Sequence, residues 1–187
     1  MKMPNFDICI PSRPRTMLEQ IREAFQNSKK TWILLLDDDL ILTPETKRKL
    51  SDPNFNFNSC YDIVLFKWEN IEGKIGRQSG FYRVRAIREY ILTKKLPSTG
   101  VDIILESVFP SFHTEEFSYT HPLKNTFSAY MRWGKGRAYC LRVVSTKSTF
   151  FHTPLNIRRL NLYIAYSVGF VIGLFQPMTD NVWNTNR

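Results

Sequence analysis

The run Trp32-Ile33-Leu34-Leu35-Leu36, closed by Asp37-Asp38-Asp39, constrains this chain more than any other stretch. Five successive bulky apolar residues followed at once by three carboxylates describe a buried strand that ends at the rim of its sheet. Side chains alternate faces along a strand, so the pleat predicts Asp37 and Asp39 on one side and Asp38 on the other. Two carboxylates on one side suit Mg²⁺ or Mn²⁺, hard cations that take oxygen ligands and share them with substrate phosphates. Acidic residues also gather in ordinary strand-to-loop turns. Three together, however, repel one another unless a cation offsets them.

The preceding residues supply the rest of a supersecondary unit. Phe6 to Ile10 reads as a strand that runs into the loop Pro11-Ser12-Arg13-Pro14-Arg15. Thr16 then opens a helix with Glu19 at capping-box spacing, and Met17, Leu18, Ile21, Ala24 and Phe25 form its apolar stripe. Strand, helix and strand in this order make a βαβ unit, which favours a parallel sheet and puts ligands at the carboxyl ends of the strands. The 11–15 loop and the aspartates both stand at such ends. Further on, Thr43-Pro44-Glu45 opens a second helix, since Thr suits an N-cap and Pro the first helical position. Residues 51–59, with Asn54, Asn56 and Asn58, read as a polar loop, and Tyr61 to Trp68 as a third strand. Phe81 to Arg85 reads as an edge or mixed-sheet strand, Thr99 to Phe109 as a helix, Tyr139 to Val144 as a strand and Leu155 to Phe175 as a helix.

A chain of 187 residues with 43% hydrophobic content can build one α/β domain with a real core. We expect that domain over 1–153, with 154–187 as an apolar helix and tail packed on it or lying at a membrane surface. Leu160 to Thr179 holds no charged residue, but Asn161, Gly169, Gly173, Gln176 and Pro177 interrupt it. A core helix and an interfacial helix both fit better than a membrane span, which needs about 20 predominantly apolar residues. Cys9, Cys60 and Cys140 show no CxxC spacing, which argues against a zinc site and a disulfide framework and for a reducing compartment. The first residues lack a long apolar stretch, so the expected location is cytoplasmic, with contact at a membrane surface as the extension.

The net charge of +9 is unevenly placed. No acidic residue occurs between Glu116 and Asp180, an interval that holds Lys124, Arg132, Lys135, Arg137, Arg142, Lys147, Arg158 and Arg159. Such a basic third would attract phosphates of a nucleotide, a nucleic acid or an anionic leaflet, or simply form a solvated face.

Three stretches together resemble the GT-A-fold glycosyltransferases that use nucleotide sugars, particularly the family 2 type. Ile8-Cys9-Ile10-Pro11-Ser12-Arg13 resembles their first strand and nucleotide loop, and Leu35-Leu36-Asp37-Asp38-Asp39 their DxD motif. Tyr130-Met131-Arg132-Trp133-Gly134-Lys135-Gly136-Arg137 looks like their late aromatic, basic and glycine segment. The resemblance implies a single-domain, GT-A-like (Rossmann-like) α/β fold with a mixed, mainly parallel sheet flanked by helices. One departure is the short interval, about twenty-five residues, between the first loop and Asp37. Family members usually place further base-holding strands there, so base specificity stays open. In size the chain is similar to the small GT-A proteins encoded by archaeal viruses, which would place it in a host cytoplasm.

The resemblance also implies roles. Asp39 would bind a Mn²⁺ or Mg²⁺ ion bridging the two phosphates of the donor, Asp37 would touch the ribose or a metal-bound water, and Asp38 would orient its neighbours. Pro11, Ser12 and Arg13 would form the nucleotide loop, with the Arg13 guanidinium on the pyrophosphate. His121 would complete the metal shell, although a lone loop histidine is more often solvated. Asp102 would be the base of an inverting transfer, with Glu106, one turn on, in reserve. Thr99-Gly100-Val101-Asp102 also has capping-box spacing, so Asp102 is read equally as a cap. Trp68 and Arg77 would line an acceptor cleft. The implied partners are a nucleotide-sugar donor, a glycan, lipid-linked or protein acceptor, and a peripheral membrane contact, with nucleic acid disfavoured. Two alternatives stand beside this reading: a nucleotidyltransferase, which would normally carry a glycine-rich loop that Pro11 to Arg15 lacks, and a basic nucleic-acid or membrane-binding module without catalysis.

Overall fold

The computed structural model describes residues 4–12, 15–69, 79–97, 100–120, 127–143 and 160–176. Packing divides the chain into two compact units, one of residues 1–95 with 108–122 and the other of residues 96–107 with 123–187.

The first unit contains the sheet. Its strands are β1 (Phe6–Cys9), β2 (Trp32–Leu35), β3 (Ile41–Leu42), β4 (Ile63–Trp68), β5 (Gly80–Arg83) and β6 (Ser111–Thr120), in the spatial order β1-β2-β5-β4-β6-β3. The helices of this unit are α1 (Met17–Asn27), α2 (Pro44–Ser51) and α3 (Val84–Thr93). The expected βαβ unit is present: β1 runs parallel to β2, with Phe6 opposite Trp32 and Cys9 opposite Leu35. The α/β sheet is mixed, as expected. Among the described residues β1·β2 and β4·β6 pair parallel, and β2·β5, β4·β5 and β3·β6 antiparallel.

The helix starts follow their residues. The Thr16 hydroxyl accepts from the Glu19 amide at 3.2 Å and the Thr16 amide donates to the Glu19 carboxylate at 3.0 Å, a complete capping box. Thr43 caps α2 ahead of Pro44 in the same sense. Leu18, Ile21 and Phe25 turn the apolar stripe of α1 into the core.

The Phe81 segment is an interior strand, antiparallel to both β2 and β4, and gives way to α3 at Val84. Its first residue must be glycine, since a Cβ on Gly80 would lie 2.1 Å from the Val64 carbonyl oxygen of the neighbouring strand. β6 had no sequence signature because only Phe117 and Tyr119, near its end, are buried; its first half, Phe112 included, is exposed or half-buried. The loop 51–59 is irregular, as expected, yet it delivers a core residue. Phe57 stacks on Phe81 at 3.8 Å and meets Trp32 edge-on at 4.9 Å, in a cluster with Phe6, Phe66 and Phe117.

The second unit is helical: most of α4 (Val101–Val108), α5 (Phe127–Val143) and α6 (Leu160–Phe175). The strand expected over 139–144 is instead the last turns of α5, with Tyr139 and Cys140 buried. A short apolar run satisfies a buried helix and a buried strand equally, and packing decided between them. α5 and α6 approach closely through glycines. A Cβ on Gly169 would lie 1.9 Å from the Met131 carbonyl oxygen, and one on Gly134 would lie 2.0 Å from that of Tyr166. The helix expected from Leu155 begins, among described residues, at Leu160.

Candidate functional site

Parallel pairing brings the carboxyl ends of β1 and β2 side by side, and the Leu36 amide donates to the Cys9 carbonyl at 3.0 Å just past both strands. The two sequence stretches singled out as nucleotide loop and aspartate cluster therefore leave the sheet as neighbours. Beyond Cys9, the loop is held down by Gln20 of α1. Its amide oxygen accepts from the Ser12 backbone amide at 3.1 Å and its amide nitrogen donates to the Ser12 carbonyl at 2.7 Å. Gln20 carried no sequence signal beyond its place in the first turns of α1, on the side facing the loop. Pro11 is half-buried and Ser12 exposed, while Arg13 lies outside the described residues.

The pleat of β2 does not reach the aspartates. The strand stops at Leu35, two residues before Asp37, and Asp38 and Asp39 lie in a turn closed by the Leu40 amide on the Asp37 carbonyl at 3.5 Å. The Asp37 amide donates to Ser79 Oγ at 3.4 Å, which ties the turn to the entry of β5. Asp37 and Asp39 are half-buried and Asp38 is exposed. A cavity of about 280 Å³ opens here, with Asp37 and Asp38 on its wall, Ile10 and Leu40 as its apolar floor and Lys47 of α2 opposite in charge. Asp39 is not part of that wall. A second cavity, of about 340 Å³, lies along β1 and α1 and shares Ile10 with the first. It is already ion-paired: Arg15 meets Glu23 at 2.6 Å, and the Ser28 hydroxyl donates to Asp7 at 2.6 Å.

Asp37 and Asp39 offer the oxygen donors that Mg²⁺ or Mn²⁺ prefers, and such ions complete their shells with water and substrate phosphate. Among the described residues no three His, Cys, Asp or Glu side chains gather closely enough to form a protein-only metal site. His121 lies outside the described residues, as do Arg77 and Thr99. His113 is half-buried on β6, and Trp68, at the end of β4, stacks on Tyr119 at 6.4 Å.

Asp102 and Glu106 belong to the second unit. Asp102 is 3% exposed, in the first turn of α4, and Glu106 is half-buried one turn later. Gly100 precedes that helix with φ of 72°, and its carbonyl accepts from the Cys140 thiol at 3.3 Å. Burial, then the nearby Asp102 carboxylate, push the Cys140 thiol up to about 12, against a smaller opposing pull from Arg137. The aromatic, basic and glycine segment Tyr130 to Arg137 is helical. Its glycines are buried, and Gly134 serves the approach to α6.

No family model and no curated protein matches the chain. Among solved structures it is similar to the crystal structure of S. aureus TarS, a glycosyltransferase, with a TM-score of 0.39 and 12% identity. That likeness covers 88% of this chain and 37% of the other, so the chain spans little more than a third of the length of TarS. A likeness of this size is distant and carries no argument about activity. Among the described residues no helix is long and apolar enough to cross a membrane.

Proposed function

We propose that the protein is a metal-dependent glycosyltransferase that moves a sugar from a nucleotide-sugar donor to a hydroxyl of a glycan, lipid-linked or protein acceptor. The observation that supports this reading is the convergence at one sheet rim: the loop after β1 and the turn after β2 leave adjacent parallel strands, and Ile10 of the first and Asp37 and Asp38 of the second line one cavity. In this reading Asp39 and Asp37 hold Mn²⁺ or Mg²⁺, with His121 as a further ligand, and Arg13 grips the pyrophosphate as a bidentate donor. When bound, the ion neutralises charge on the departing nucleoside diphosphate. Asp38 keeps the turn oriented, and Lys47 adds a positive charge to the cavity lining. Asp102 takes the proton of the acceptor hydroxyl in an inverting transfer, with Glu106 as the alternative base.

Calorimetry with UDP-, GDP- and dTDP-sugars, each with Mn²⁺ and with EDTA, tests the reading. One donor should bind in the presence of metal alone, and Asp39→Ala should remove that binding without loss of fold. Asp102→Asn should bind donor normally and fail to transfer. No binding of any donor, with steeply salt-dependent binding of DNA in its place, would replace this proposal by the basic-module reading.

A further inference from the structure

Helix α6 is predominantly apolar, with Asn161 and Ser167 as exposed polar residues, and carries no charged residue. One face, centred on Ala165, Gly169 and Gly173, is buried, and its glycines touch Met131, Lys135 and Ala138 of α5. The opposite face carries Leu160, Ile164, Val168, Val171 and Phe175 at steps of four, four, three and four residues, which aligns them in one stripe. All five are exposed, from 41% at Val168 to 83% at Phe175. Soluble surfaces seldom keep so regular an apolar row, and contiguous patches of this kind mark an interaction.

We propose that this stripe of α6 rests in the plane of an anionic lipid surface. Charge selects that occupant. α5, the helix on which α6 packs, bears Arg132, Lys135, Arg137 and Arg142 and no acidic residue. Arg142 donates to the carbonyls of Gly173 and Gln176, which puts a cation at the end of α6 where Phe175 is most exposed. In sequence, Arg158 and Arg159 stand just ahead of the other end. Length sets the orientation: the 16 residues of α6 reach roughly 24 Å, short of a hydrocarbon core of about 30 Å, so the helix lies flat with its apolar stripe inward. Area disfavours a second copy of the chain as the occupant. The five side chains present on the order of 500 Å², below the roughly 800 Å² per partner of a stable protein pair. Such contact requires no catalytic role.

The full chain, without donor or metal, would be sedimented with vesicles of phosphatidylcholine alone and of phosphatidylcholine with phosphatidylglycerol. The bound fraction should be about tenfold or more higher on the anionic vesicles and should fall in high salt. Ile164→Asp with Val171→Asp should lower it about tenfold at an unchanged circular dichroism spectrum, since both positions face away from α5. Ile164→Ser with Val171→Ser is the milder pair and should lie between. Equal absence of the wild-type chain from both pellets would overturn the proposal. So would variants that bind as well as wild type, or sedimentation equilibrium showing a dimer that these substitutions break while vesicles are ignored.

Discussion

Replacing Phe57 by alanine tests whether a residue in a polar loop holds the sheet together. Its ring is 7% exposed, stacks on Phe81 at 3.8 Å and meets Trp32 at 4.9 Å. A buried phenylalanine withdraws about 150–250 Å² from water, worth about 4–6 kcal/mol at ~25 cal/mol per Å². Measured Phe→Ala losses of about 3–5 kcal/mol agree. Relaxation of the loop into the cavity would reduce that loss, but the backbone here is held. The Asn5 side chain donates to the Phe57 carbonyl at 2.6 Å and accepts from the Phe57 amide at 3.1 Å. The loss should therefore lie near the top of the range, a large share of a typical stability of about 5–15 kcal/mol. Urea unfolding followed by tryptophan fluorescence reads it as a drop in midpoint at constant slope, about 2.5 M for a slope of ~2 kcal/mol/M. Phe55→Ala, at a half-buried position of the same loop, should cost clearly less. A loss below about 1 kcal/mol for Phe57→Ala would refute the packing argument.

Thiol reactivity should sort the three cysteines: at pH 8 a chromogenic disulfide should label Cys60 at once, and buried Cys9 and Cys140 only after unfolding. Burial pushes Cys9 up to about 11 and Cys140 up to about 12, from 9.0. The folded chain thus favours the protonated thiols, and their contribution to stability, complete below pH 9, declines as pH rises toward 11–12. Urea midpoints should fall between pH 8 and pH 10, less steeply in Cys140→Ala; an identical slope would remove the burial argument. Gly169→Ala gives a test by sign. In an open helix alanine adds up to about 1 kcal/mol, whereas a Cβ 1.9 Å from the Met131 carbonyl should cost about 1–3 kcal/mol. A raised melting temperature would show that α5 and α6 are not in close contact.

Local chemistry was legible where a few adjacent residues decide the outcome. The Thr16–Glu19 box, the Thr43-Pro44 start and the buried strand from Trp32 needed no distant partner, so sequence alone determined them and, with them, the βαβ unit. That unit also made the meeting of the 11–15 loop and the aspartates at one rim foreseeable. Which carboxylates face the cavity was not, because β2 ends at Leu35 and the turn after it, tied to Ser79 across the sheet, orients Asp37 to Asp39 in place of the pleat. The helix over 139–143, the strand β6 and the burial of Phe57 all depend on partners far along the chain: α6, β4 and the Asn5 clamp. An apolar or polar run states what a segment can bury. Only the tertiary structure supplies the surface against which it is buried, and that surface decided helix against strand, core against loop, and the open stripe of α6 against its glycine face.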